Sequence, residues 1–166
     1  MSWTCATCGG SHEDVPLSFA ADYPDNYANM SIEEREQRAI AGSDQCVIDE
    51  DQFYVRGCLE IPLLEDDGVF LWGVWARLWK EDYLEIADCW DQVGRENAHG
   101  PFKGRLGNSL KQYSSETLNL KLSIKLRPVG ERPLFVIADP DHPLGSAQIN
   151  GMTNQQVHDL VSLLMH

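Results

Sequence analysis

What this sequence lacks narrows it before anything it contains. No G-x-S-x-G, H-E-x-x-H, P-loop, dinucleotide or EF-hand pattern occurs in its 166 residues. The usual motif-borne forms of hydrolysis, zinc proteolysis, phosphate cradling and calcium binding are therefore excluded. Internal repeats and low-complexity segments are missing as well, which removes solenoids and biased linkers. No apolar run approaches the ~18 residues of a membrane span, so no membrane partner is expected. The start, "MSWTCATCGG", has neither the basic residues nor the apolar stretch of a secretory signal, and the expected compartment is the cytoplasm. Cysteine is sparse and odd in number, at five; a reducing compartment leaves metal binding or plain burial to explain it. Cations are scarce too: 13 Lys and Arg face 26 Asp and Glu, for a net charge of −13.

That deficit is uneven. Residues 1–67 hold fifteen acids against Arg35, Arg38 and Arg56, whereas residues 68–166 hold eleven acids and ten Lys or Arg. An acidic first part repels phosphate backbones, which argues against nucleic acid and favours a basic protein partner or cations. Solubility alone also explains such acidity. With 43% hydrophobic residues the chain has the material for a core. Its length fits one domain over residues 1–166 that buries roughly two-thirds of its unfolded surface.

Periodicity predicts the elements. "PLSFAADYP" reads as a short strand running into a loop. Ser31 and Glu34 form a capping box that opens a polar surface helix over Met30–Gly42, with Gly42 at its end. "CVIDEDQFYVRGCLEIPLL" reads as a strand, a turn at Asp49–Asp51 and a second strand with Phe53, Val55, Leu59 and Ile61 on one face. After a turn at Glu65–Gly68, "VFLWGVWARLW" is apolar on both faces, as a covered central strand is, and pairs antiparallel with its predecessor. "KEDYLEIADCWDQVG" predicts a helix closed by Gly94, followed by a loop from Arg95 to about Ser109. "TLNLKLSIKL" alternates, with Lys121, Ser123 and Lys125 opposite the leucines, and "PLFVIA" is a further strand. Thr153 and Gln156 open a terminal helix with Val157, Leu160, Val161 and Leu164 as its stripe. The fold class is α+β, a mostly antiparallel sheet packed with helices.

"CATCGGSH", Cys5 to His12, is the stretch shaped for a metal. C-x-x-C supplies two zinc ligands from one tight turn, and a following glycine lets backbone N–H groups fold toward the thiolates. A zinc-knuckle-like turn within residues 1–14, holding a structural Zn2+, is expected. A redox C-x-x-C instead sits at a helix N-terminus after a core strand, where Gly9 and Gly10 are poorly suited; unmetallated cysteines are the third reading. Remaining ligand candidates are His12, Cys46, Cys58, Cys89, His99 and His142. Cys46 is preferred because it opens a strand before an acidic turn. Cys58 fits a second buried layer, and Cys89 beside Trp90 fits a buried free thiol. Cys5, Cys8, His12 and Cys46 together would make a closed staple; without Cys46, three ligands plus water would resemble a catalytic site.

Two further constellations stand out. Trp72 falls on the strand face opposite Trp75 and Trp79, so core packing accounts for the three, with a Trp75–Trp79 pair as a possible-partner anchor. "DPDHPLG" holds His142 between prolines beyond a strand, where an Asp could orient it in a pocket or the ring could cap locally. The loop "NAHGPFKGRLG" carries His99, Lys103 and Arg105 among glycines that match no phosphate-binding fingerprint.

Taken in order, "CATCGGSH", "CVIDEDQFYVRGCLEIPLL", "FLWGVWARL", "TLNLK" and "RPLFVIADPDHPLGSAQINGMT" resemble a bacterial family of unknown function, DUF2199, over nearly the whole chain. Its pattern is matched at Cys5, Cys8, Gly9, Cys46, Trp72, Trp75 and His142. The resemblance implies a bacterial single-domain protein, adds weight to Cys46 over Cys89, and implies no activity. Two functions follow from the whole reading. One is a zinc-stabilised, non-enzymatic binding or adaptor module, immunity-protein-like, with an acidic surface for a basic partner. The other is an enzyme, hydrolytic in kind, centred on an open zinc site or on His142.

Overall fold

The computed structural model describes residues 3–4, 11–12 and 15–165. Its strands are β1 (Trp3–Thr4), β2 (Ser11–His12), β3 (Ser18–Ala20), β4 (Ala39–Ala41), β5 (Gln45–Ile48), β6 (Gln52–Pro62), β7 (Val69–Leu78), β8 (Phe102–Leu106), β9 (Lys121–Lys125) and β10 (Leu134–Ile137). Its helices are α1 (Asp25–Ala28), α2 (Ile32–Arg38), α3 (Lys80–Asp88), α4 (Arg95–Ala98), α5 (Pro143–Asn150) and α6 (Asn154–Met165). None is long and apolar enough to cross a membrane among the described residues.

The α+β class holds, but the sheet is a barrel with extensions rather than an open layer. Strands β6 to β10 pair in sequence order as an antiparallel meander. In a five-stranded meander the first and last strands run the same way, so closure has to be parallel. It is made where Leu134 of β10 meets Cys58 of β6, with the Cys58 N–H donating to Pro133 O at 2.9 Å. The two long strands each serve two neighbours along one edge. β6 pairs with β5 near its start, and β7 pairs with β3 over Leu71–Gly73 before meeting β8 over Ala76–Leu78.

Period-two alternation fills both sides of this sheet. Inside the barrel stand Phe53, Val55, Leu59 and Ile61 of β6 with Leu122, Ile124 and Phe135 from the far strands. A fully buried Leu, Ile or Phe of this kind contributes about 1.5–3 kcal/mol. Outside, Cys46, Ile48, Tyr54 and Trp75 form a second cluster covered by Tyr27, Met30 and Ala39. This second layer explains why β7 is apolar on both faces.

Five sequence expectations change. The helix expected to reach Gly42 stops at Arg38, because Ala39–Ala41 becomes the edge strand β4 paired to β5; Arg38 clamps Asp49 at 2.8 and 2.7 Å across the junction. The helix expected to close at Gly94 ends at Asp88, and Val93 is exposed. Strand β8 crosses what reads as a loop, and α5 begins within the DPDHPLG segment, at Pro143, where no helix is expected. The strand read from Thr117 begins only at Lys121, since Asn119 takes a left-handed φ of 69°. Of the zinc-knuckle-like turn, the described part is the antiparallel pairing Trp3↔His12 and Thr4↔Ser11; Cys5 and Cys8 lie outside the described residues.

Candidate functional site

In a chain so short of cations, where they go is informative. Arg38 pairs with Glu34 and Asp49, Arg127 with Glu60, and Arg132 with Asp44. Arg35 lies over Tyr27, Arg56 over Trp75, and Arg95 is buried. Lys111 and Lys125 stand at the surface. The other five, Arg77, Lys80, Lys103, Arg105 and Lys121, like Lys111 and Lys125, make no ion pair with a described residue, but the five are gathered in one place. All five line one cavity of about 870 Å³.

Strand register creates the cluster. Arg77 of β7 faces Arg105 of β8, and Arg105 faces Lys121 of β9. Lys103 stands two residues from Arg105, hence on the same outward face, opposite Ser123. Like charges placed directly opposite one another destabilise a sheet. Three in a row, with 26 acidic residues in the chain, is an arrangement stability does not favour. Among the described residues the row makes one side-chain hydrogen bond, and it is long: Arg105 Nη1 donates to Asn119 O at 3.5 Å.

Gly104 holds the row close. A Cβ there would come within 2.8 Å of Arg77 O and 3.0 Å of Ile124 Cδ1, so a side chain would push β8 off β7.

The cavity is not purely polar. Phe53, Leu78 and Leu122, one register layer of the barrel, line it. Trp79, 75% exposed at the N-cap of α3, stands at its rim. Three acids also contribute: Glu81, and Glu50 and Asp51 from the β5–β6 turn. In that three-residue turn Asp49 and Glu50 both take positive φ, 53° and 59°, a left-handed conformation that normally favours Gly or Asn. A smaller cavity of about 290 Å³ between Tyr113, α5 and α6 is lined by no charged side chain.

Of the residues singled out from the sequence, Cys5, Cys8 and the His12 side chain lie outside the described residues, and Cys46, Cys58, Cys89, His99 and His142 form no metal-binding group among themselves. His12 is described through its backbone pairing with Trp3. Cys46 is fully buried among Ile48, Tyr54 and Trp75, and burial pushes its thiol up to about 11, away from the thiolate that binds metals. Burial likewise raises the thiols of Cys58 and Cys89. His99 bridges Glu85 and Gln92 at 3.0 and 3.1 Å. His142 caps α5: its Nδ1 accepts from the Leu144 N–H and its Nε2 lies 3.0 Å from Glu116 O. Those partners select the Nε2–H tautomer and occupy both ring nitrogens with backbone. Among the described residues, no group of three His, Cys, Asp or Glu could hold a metal ion.

Sequence reasoning singled out Lys103 and Arg105 in their glycine-rich loop but did not gather them with Arg77, Lys80 and Lys121, because the five are scattered from residue 77 to residue 121. The available signals were the near-neutral second half of an acidic chain and the alternation of Lys103 and Arg105 about Gly104. A family model described as an uncharacterized protein conserved in bacteria (DUF2199) matches residues 4–152. No curated protein and no solved structure matches the chain.

Proposed function

The chain belongs to the DUF2199 family of bacterial proteins, and from that membership we propose a binding protein whose ligand is an anion held in the cationic groove. One observation carries this reading: five cations that pair with no acid among the described residues line a single cavity in a chain of net charge −13. A site that must desolvate and hold an anion keeps its donors uncommitted, whereas a surface built for stability pairs them. The acidic remainder then acts by repulsion, turning away long polyanions. With both nitrogens of His142 held by backbone, no enzymatic step is derived from it.

Inorganic pyrophosphate is the first probe. It is expected to bind, more weakly as salt rises. Arg105→Gln is expected to weaken it about tenfold, the loss of one charge-assisted hydrogen bond. The same change relieves the like-charge row and raises the melting temperature by about 1–3 °C. A lower melting temperature with unchanged binding would mark Arg105 as structural and sink the reading.

A zinc staple at the amino terminus is a second reading, favoured by the β1–β2 pairing that brings Thr4 and Ser11 together at the two ends of the Cys5–Gly10 segment. Cys5, Cys8 and His12 would supply three of its four donors. Metal analysis is expected to find one zinc per chain, lost in Cys5→Ser and retained in Cys46→Ser, whose thiol lies in the second core. Loss in Cys46→Ser would make that cysteine a ligand after all; metal-free wild-type protein would overturn the staple.

A further inference from the structure

We propose that the ligand of the cationic groove is a nucleoside di- or triphosphate. This rests on the anion-binding reading above and adds the chemical class. The argument begins with the size of the charged patch. Arg77, Arg105 and Lys121 are cross-strand partners, so their Cα atoms span two strand spacings, about 10 Å, and Lys103 adds about 7 Å along β8. Two or three linked phosphates fit a patch of that size. A nucleic-acid strand needs a longer track, since single-stranded sites run over about 4–16 nucleotides, and the net charge of −13 repels such a strand along its whole length.

The second argument is the apolar wall. A bare inorganic anion has no use for the exposed indole of Trp79, yet it shares the cavity with the cations, over the buried Phe53, Leu78 and Leu122 of the barrel interior. Trp79 offers a flat face on which a base can stack. The cavity, about 870 Å³, lies within the roughly 300–1,000 Å³ of small-molecule sites. Glu50, Asp51 and Glu81 complete the match. Ionised carboxylates only accept hydrogen bonds, so they receive ribose hydroxyls and amino groups and repel phosphate. Together with the cationic row, that sets the ligand's direction in the groove.

Calorimetric titration with ADP and GDP, beside pyrophosphate and adenosine, tests the proposal on the full chain. A nucleoside diphosphate is expected to bind about tenfold or more tightly than pyrophosphate, and adenosine more weakly than either. Trp79→Leu is expected to weaken ADP and GDP about tenfold and leave pyrophosphate unchanged; Arg105→Gln is expected to weaken all three anions. Both side chains are exposed, and circular dichroism verifies that the variants fold. If pyrophosphate binds as tightly as the nucleotides and Trp79→Leu changes nothing, the nucleotide class is overturned while the anion groove stands. If neither nucleotides nor pyrophosphate bind, both readings fall. Nucleotide binding that survives Arg105→Gln places the ligand elsewhere and overturns the proposal, as does stronger competition by a single-stranded oligonucleotide.

Discussion

Replacing Arg95 by leucine is expected to lower stability by about 3–5 kcal/mol. Arg95 is 2% exposed, and among the described residues its guanidinium has no carboxylate partner. It donates to Arg127 O at 2.8 Å, Trp90 O at 2.6 Å and Glu131 O at 2.9 Å, with a longer contact to Pro128 O at 3.3 Å. Its charge also lies over the Trp90 ring, 5.2 Å from the centroid. The side chain thus ties the turn after α3 to residues 127–131. Leucine would leave several carbonyls without a donor, and a buried unsatisfied acceptor costs about 1–3 kcal/mol. Some would reach water, which is why the expected loss is smaller than the full sum. The damage should spread, since Arg127 in that same segment pairs with Glu60 of β6 at 2.8 Å, near the point where the barrel closes. Denaturant unfolding measures the loss. Arg95→Lys should recover little of it, because an ammonium cannot present a planar fork to several carbonyls. A midpoint unchanged in Arg95→Leu would show that the guanidinium is not the clamp.

The second large effect is expected at Gly57. A Cβ built there overlaps the Phe135 ring: it meets Cζ closely, and Cε1 and Cε2 lie at 2.5 and 2.8 Å. Phe135 is fully buried in the barrel core, so its ring has no free space to swing into. Gly57→Ala is therefore expected to cost about 1–3 kcal/mol by overpacking, shifting the thermal midpoint by several degrees. Phe135→Leu alone should also destabilise, by leaving a cavity. The double variant should lose less than the two single losses together, because leucine vacates the space the new methyl needs. Strict additivity in that cycle would mean the two residues do not share the space, contrary to their packing.

Where periodicity or capping is local, sequence reasoning succeeded. The β6–β7 hairpin, the inward set Phe53, Val55, Leu59 and Ile61, and the stripe of α6 stand as the alternation implies. The Thr153–Gln156 box is reciprocal, with bonds of 2.8 and 3.2 Å, and Ser31 caps α2 at 3.1 Å. Each signal lies within a few residues of its own effect. Strand β4 is a different matter: Ala39–Ala41 has helix-compatible residues and becomes a strand because β5 offers it an edge.

By itself, then, the amino-acid sequence determined the α+β class, the covered central strand, the capped helices and the acidity, because these are properties of neighbouring residues and of composition. Tertiary structure alone decided that the meander closes into a barrel, that Phe-Lys-Gly-Arg-Leu at 102–106 is a strand, and that Arg77, Arg105 and Lys121 face one another. These outcomes are pairings between distant segments. A strand's register depends on which edge its backbone N–H and C=O groups find, and no local pattern encodes that choice. The groove exists only after the register is set, which is why its five cations, scattered along the chain, become a site in the folded molecule.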